Sequence, residues 1–416
     1  MARLRVRSSF RPALSLLLVF VAGLILGTPA RAAGPPTSIT AVADIHGDFD
    51  ALAALLQHAG LIDAEHHWTG GSTTLVQTGD VLDRGPKPRE AMDLLMSLQK
   101  EAPKKGGRVV VLLGNHEVMN IMGDLRYVTA ENYASYAGKN SEKVQHSAYR
   151  EYLDWRKHHE ALVASMPQAF PETSEAEWAT RHPPGFIEQR DAFGPEGKYG
   201  KWLRERPAVA ELEHVVFVHG GIDPSLASMS VQSINSRVLE ELSGFDKAKE
   251  FLAGQQLILP FFTLQEMTAV VQGEVSAREN APKSRHPSRN EQGSLPEHTQ
   301  RELMKDFLDY GRWLSVASNG PLWFRGYDEW SDEQVAANIP SILAAYGATG
   351  IVVGHTPQRD GRIRSRLGGK LFLIDTGMLS SYYPQGRASA LRIRDGVNFT
   401  AEYMDRADAL PVQAER

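Results

Sequence analysis

Thr73-Thr74-Leu75-Val76-Gln77-Thr78-Gly79-Asp80-Val81-Leu82-Asp83-Arg84-Gly85 is a short β-forming run delivered into two aspartates flanked by glycine. The same arrangement recurs along the chain. Ser38 to Ala43 runs into Asp44-Ile45-His46-Gly47-Asp48, and Arg108 to Leu113 into Gly114-Asn115-His116-Glu117. Val215 to Val218 leads to His219-Gly220-Gly221, and Ile351 to Val353 to Gly354-His355-Thr356. Between the first three runs, Leu52, Leu55 and Leu56 recur at helical spacing, and Met92, Leu95 and Leu98 follow Pro86 and Pro88. That β-α-β-α-β alternation predicts an α/β fold with parallel strands and crossover helices. Leu371 to Ile374 reads as a further strand, and Leu391 to Phe399, with its Asp395-Gly396 turn, as a closing hairpin. Ligands of α/β sheets gather at the carboxyl ends of strands, where all five motifs fall.

The residue types in those motifs define a chemistry. Carboxylate, amide oxygen and imidazole together suit hard and borderline divalent metals. A phosphomonoester dianion repels hydroxide, and two cations roughly 3.5–4 Å apart answer this by neutralising it and activating a water. Such a pair needs one ligand that touches both. Asp80 is the expected bridge, with Asp44 and His46 completing the first metal and Asn115, His219 and His355 the second. His116 is placed to protonate the leaving oxygen, with Asp83 orienting its ring. Arg84 is placed to grip phosphate. Taken singly, Asp-x-His is commonly a surface pair and Asp-Arg-Gly a turn. Five such motifs in strand-terminal order outweigh those plainer readings.

Composition narrows the remaining choices. The 416 residues contain no cysteine, which excludes disulfides, thiolate metal sites and a cysteine nucleophile for phosphate cleavage. The formal charge is −5, and more negative once the arginine-rich first segment is set aside, so no bulk attraction to nucleic acid is expected. Residues 1–32 read as an export signal: Arg3 to Arg11 basic, Ala13 to Leu26 apolar, and Ala30-Arg31-Ala32 a cleavage site. A periplasmic or secreted protein is expected, touching a membrane only through that leader if it is uncleaved. Residues 33–416 read as a single domain with two interruptions. The aromatic-rich 121–208 is expected to be a helical excursion and the polar 273–299 a mobile loop. The other histidines lack partners at ligand-like spacing and carry no metal role.

The five motifs together resemble the calcineurin-like metallophosphoesterases, in particular the phosphoprotein phosphatase branch. Gly114 to Asn120, Gly123 to Val128 and Gly320-Pro321-Leu322-Trp323-Phe324-Arg325 resemble the Shewanella-like protein phosphatases. The resemblance implies a central β-sandwich flanked by helices, a dinuclear metal site at strand ends, and Arg325 as a second phosphate clamp. It also implies two divalent ions; ligand softness admits manganese, iron or zinc, with manganese the first choice. The implied reaction is hydrolysis of a phosphoserine, phosphothreonine or phosphotyrosine protein or peptide, or of a small phosphoester, by direct attack of the activated water. Ala43 stands where the family usually has glycine, and Thr356-Pro357-Gln358 after His355 departs from the eukaryotic serine/threonine enzymes. Two alternatives remain: a nucleotide or dinucleoside polyphosphate hydrolase, against which Glu117 argues, and a catalytically silent binding module.

Overall fold

The computed structural model describes residues 38–280 and 296–410, so the expected leader lies outside the described residues. Each of the first three runs forms a strand: β1 (Ser38–Val42), β2 (Thr74–Gln77) and β3 (Arg108–Val111). β1 pairs parallel with β2, and β2 with β3, across helices α1 (Phe49–His58) and α2 (Pro88–Glu101). Asp48 caps α1 by accepting from the Ala51 N–H at 3.0 Å, and Pro88 starts α2, where its missing N–H costs nothing.

A second sheet is built on β4 (Val209–Leu212), β5 (Val215–Val218), β6 (Gly350–Val353), β7 (Arg364–Arg366) and β8 (Leu371–Leu373), in the order β4-β5-β6-β8-β7. The chain then returns to the first sheet through β9 (Ser389–Arg394), β10 (Asn398–Tyr403) and β11 (Ala407–Leu410), completing the order β11-β10-β9-β1-β2-β3. Period-two alternation explains why the sheets stack. Ile39, Ala41, Val76 and Val110 on one side meet Val215, Phe217, Val352 and Phe372 on the other in one buried cluster. Phe372 stacks on Phe399 with ring centroids 4.2 Å apart, a contact worth about 1 kcal/mol beyond area burial. Val42, Leu75, Val109 and Val111 belong to the other core cluster, with Leu52 and Leu56 of α1 and Met92 and Leu95 of α2. The α/β sandwich flanked by helices therefore stands.

Three strands escaped the sequence reading. β4, β7 and β11 are edge strands, each paired antiparallel to one neighbour. Edges are polar and short by design against aggregation, so Arg364-Ser365-Arg366 carries no apolar signal.

Between β3 and β4 run α3 (Asn115–Met122), α4 (Ala130–Tyr136), α5 (Ser141–His158), α6 (Glu160–Ser165), α7 (Glu175–Arg181), α8 (Phe186–Ala192) and α9 (Lys198–Arg204). Tyr149, Tyr152, Trp155 and Trp178 are buried within them. α10 (Val231–Gly254) and α11 (Leu264–Asn280) follow, then α12 (Glu297–Leu308). The stretch 273–299 is thus not a loop throughout, because α11 continues to Asn280 and α12 starts at Glu297. Glu274 and Arg278 pair at helical spacing, 3.7 Å apart, and Gly273 admits Leu162 where a Cβ would sit 2.1 Å from its Cδ1. Glycine there hid the helix from a propensity reading. α13 (Gly326–Glu329) and α14 (Asp332–Tyr346) complete the helices. No described helix is long and apolar enough to cross a membrane.

Candidate metal and phosphate site

All five motifs meet at one end of the sandwich, those after β1, β2 and β3 from one sheet and those after β5 and β6 from the other. The loops touch so closely that side chains are excluded between them. A Cβ on Gly114 would sit 2.2 Å from Asp80 Oδ1, and one on Gly85 2.3 Å from the His46 carbonyl oxygen. Five of the polar residues here adopt left-handed backbone: His46, Asp80, Asp83, Arg84 and His355, with φ between 48° and 69°. Non-glycine residues hold such geometry at a cost of about 1–3 kcal/mol each, and only where surrounding contacts impose it.

Glu117 imposes much of it. Its carboxylate accepts from the N–H groups of Asp80 (2.8 Å), Val81 (2.9 Å) and Gly114 (2.8 Å), locking the second motif onto the start of α3. Burial and the nearby Asp80 push its pKa up to about 7, while those three donors favour the ionised form. An aspartate would be one methylene short of this triple contact.

Asp80 lies at the centre. It belongs to two groups of potential ligands, His46–Asp80–His116 and Asp80–His219–His355, each with its ligand atoms within 4.8 Å of one another. In the second group His219 Nε2 lies 3.3 Å from Asp80 Oδ1, 2.9 Å from Asn115 Oδ1 and 3.1 Å from His355 Nδ1. Those separations suit donors caging one small cation with bonds of ~2.1 Å. On the other side, His46 Nε2 is 3.7 Å from both Asp44 Oδ2 and Asp80 Oδ2. Asp44 Oδ2 and His355 Nε2 are buried without any hydrogen-bond partner. Backbone carbonyls fix the tautomers. His46 Nδ1 donates to Leu82 O and His219 Nδ1 to Thr78 O, both at 2.9 Å, so each Nε2 lone pair faces inward. The donor set therefore fits two divalent ions sharing Asp80.

The electrostatics agree. Burial, with Asp375 beside it, pushes the Asp44 carboxyl well above its usual range. Burial also drives His46 and His355 well below theirs, toward the neutral form that ligates. Burial opposes charge on His219, but Asp80 and Asp44 outweigh it and lift this histidine to about 9. A proton on His219 and a cation at its Nε2 answer the same negative charge, so the two are alternatives.

Beside the ligands sits a proton-handling pair. His116 Nδ1 lies 2.6 Å from Asp83 Oδ2, and both residues are buried. Burial opposes the imidazolium, yet Asp80 and Asp83 hold its pKa above the ordinary value. Arg84 reaches across the mouth, donating from Nη2 to His116 Nε2 (3.2 Å), from Nη1 to Tyr383 Oη (2.8 Å), and to His46 Nε2. Its guanidinium is flanked by the rings of Tyr382 at 5.0 Å and Tyr127 at 5.4 Å. Arg325 donates to Thr356 Oγ1 at 3.0 Å, beside His355.

Each named residue is thus at this site: Asp44, His46, Asp80, Asp83, Arg84, Asn115, His116, His219, Arg325 and His355. Several others were not given a role. Asn120 binds Asp83, Tyr383 binds Arg84, Tyr127 flanks His116 with ring centroids 5.0 Å apart, and Asp375 faces Asp44. Asn120 had a legible signal, since it sits four residues after His116 on the same helical face. Tyr383 had none.

Residues 37–261 match the calcineurin-like phosphoesterase family, more than half of the chain. The chain belongs to that family. Shewanella-like protein phosphatase 2 of Arabidopsis thaliana is 34% identical over 50% of this chain and 53% of its own length. Shewanella-like protein phosphatase 1 of Plasmodium berghei is 25% identical over 86% of this chain and 72% of its own. Among solved structures, the cold-active protein-tyrosine phosphatase of a psychrophilic Shewanella shares the fold, with a TM-score of 0.56 and 21% identity over 90% of this chain and 80% of that one. Family membership makes the chain a phosphoesterase with a two-metal site, and the His/Asp groups described above fit it.

Proposed function

We propose that the protein is a metal-dependent phosphoprotein phosphatase, exported after removal of residues 1–32. The observation that carries this reading is the position of Asp80, shared by both ligand groups, with His116–Asp83 and Arg84 beside it. Two divalent ions bound there would neutralise a phosphate dianion and acidify a water, and manganese is the first choice among manganese, iron and zinc.

The chain's own residues supply the rest. Arg84 now donates to two imidazole nitrogens and one phenol, and a phosphate oxygen is a better acceptor than any of them. Its move onto phosphate frees His116 Nε2 to take up a proton from solvent, which Asp80 and Asp83 favour. Asp83 holds the ring through Nδ1, so a proton on Nε2 passes to the ester oxygen as the P–O bond to the leaving group breaks. Arg325, beside His355, closes on the phosphate from the other sheet.

Phosphoprotein rather than nucleotide substrates are supported by the two Shewanella-like phosphatase relatives and by Glu117 with its three backbone donors. Tyr127 and Tyr382, exposed beside Arg84, make the mouth compatible with an aromatic phosphate as well as a serine or threonine one. The test is a panel of phosphoserine, phosphothreonine and phosphotyrosine peptides, with diadenosine tetraphosphate in parallel and manganese present. Turnover confined to the dinucleotide would sink the reading, and no turnover of any substrate would revive a silent binding module. Export rests on the leader's composition alone. Sequencing the N-terminus of the mature protein checks it, with residue 33 expected first.

A further inference from the structure

The hydrogen bonds behind His116 do not end at Asp83. Asn120 Nδ2 donates to Asp83 Oδ1 at 2.9 Å and to the His116 carbonyl at 3.0 Å. An amide can present either end, and the wrong end would set two oxygens against each other at Asp83. What selects the right end comes from the helical excursion. Gln189 Nε2, on α8, donates to Asn120 Oδ1 at 2.8 Å, which leaves only the NH2 group to face Asp83. The next residue, Arg190, donates from Nη1 to the Asn120 carbonyl at 2.7 Å. Asn120, Gln189 and Arg190 are each no more than 2% exposed, so no solvent competes for these groups. Two consecutive residues of α8 therefore grip both the side chain and the backbone of Asn120.

We propose that Gln189 and Asn120 are positioning residues for the reaction, fixing the Asp83 carboxylate so that it in turn aims the His116 ring at the leaving oxygen. The excursion then has a part in the chemistry: it carries the outer end of a chain running Gln189, Asn120, Asp83, His116. This rests on His116 being the acid in the function proposed above, and the experiment separates the two. The physical expectation is selective. A leaving group that departs without a proton does not need His116, whereas one that leaves as a strong base does.

The variants are Gln189→Met, which keeps length and removes the donor, and Asn120→Ala, which keeps a good helix former and removes the amide. His116→Asn is the control. Each is assayed on phenyl phosphate and on 2,4-dinitrophenyl phosphate. Gln189→Met and Asn120→Ala should lower kcat on phenyl phosphate about tenfold or more while staying within about threefold of wild type on the dinitrophenyl ester. His116→Asn should show the same contrast more steeply. A second measurement needs no turnover: with diamagnetic zinc bound, wild type should show a downfield proton resonance from His116 Nδ1–H facing Asp83. It should vanish in His116→Asn and broaden or shift in both positioning variants. Equal losses on both esters, or no losses, with that resonance unmoved, would overturn the positioning role while leaving the acid intact. A flat response of His116→Asn itself would instead overturn the acid assignment beneath it.

Discussion

The molecule buries charge in two places, and the two are handled differently. At the strand ends Asp44, Asp80, Asp83, Glu117 and Asp375 are all fully buried, and they converge with four imidazoles. Beneath the helical excursion burial presses on cations, Arg190, lowered to about 10, and Lys249, lowered to about 7 by burial and by Arg190, and it raises the Glu266 carboxyl nearby. The acidic cluster has matching positive partners and unpartnered ligand atoms aimed inward. Around the cations, Asp246 is already held by Arg204 through two contacts of 2.7 Å, and Lys249 makes no ion pair among the described residues. The difference teaches what buried charge is for. In the first region it assembles the two groups of potential ligands, and in the second Arg190 bonds the Asn120 carbonyl while Lys249 is left without an ion pair among the described residues.

The largest effect should come where the strand-end region is most concentrated. Asp80→Asn removes the one carboxylate common to both ligand groups, so hydrolysis of para-nitrophenyl phosphate should fall about a thousandfold or more even in saturating manganese. Wild-type activity in that variant would show that the two groups do not act as one site. His219→Gln is the milder cut, because Asn115 and His355 still face the same point. Manganese should then bind about ten- to a hundredfold more weakly by titration, with much of the activity recovered at high metal. Failure of excess metal to restore any rate would mean that His219 does more than hold a cation.

Smaller again is the effect expected at the arginines. Arg84→Ala removes contacts to His46, His116 and Tyr383 as well as the phosphate clamp, and Arg325→Ala removes only a peripheral one. Michaelis constants and inhibition by inorganic phosphate should both weaken in Arg84→Ala, on the order of tenfold, and by less in Arg325→Ala. The reverse ranking would move the phosphate to the other sheet's side of the mouth.

How far all this could be read from the chain follows the same division. The strand-end cluster was legible because its residues are adjacent to strands whose apolar runs announce themselves, as in Arg108 to Leu113 before Asn115. Every ligand but Asp44 lies next to a glycine, and the backbone needs those glycines for the loops to touch. The edge strands β4, β7 and β11 were not legible, since each is three or four residues long and is broken by a charged residue, Glu211, Arg364 and Arg366, or Asp408. The link from Gln189 to Asn120 was hidden for a different reason. It joins residues 69 positions apart through a short helix that buries Gln189 and Arg190, polar residues that carry no motif. Tyr383, brought to Arg84 from 299 positions away, is the extreme case. Tertiary placement, and nothing in local propensity, created both contacts.

The smallest effect tests the other half of the comparison. Lys249 has its folded pKa lowered to about 7 from 10.5, so between those values the unfolded chain binds more protons than the folded one. Stability must therefore rise with pH across that window, and the penalty for holding the ammonium is greatest at pH 7 and below. Lys249→Met removes the group that titrates while keeping its length. The melting temperature should rise at pH 7 by one to a few degrees, at about 1–2 °C for each kcal/mol recovered in a chain of this size. The side chain retains partial contact with solvent, so only part of the pKa shift reaches stability. The gain over wild type should shrink steadily as the pH is raised from 7 toward 10.5, and turnover at pH 7 should stay within about twofold, since Lys249 makes no contact with Asn120 or the strand ends. A melting temperature that falls, or a gain that does not vary with pH, would mean that this buried cation is held by something and that the contrast between the two regions is false.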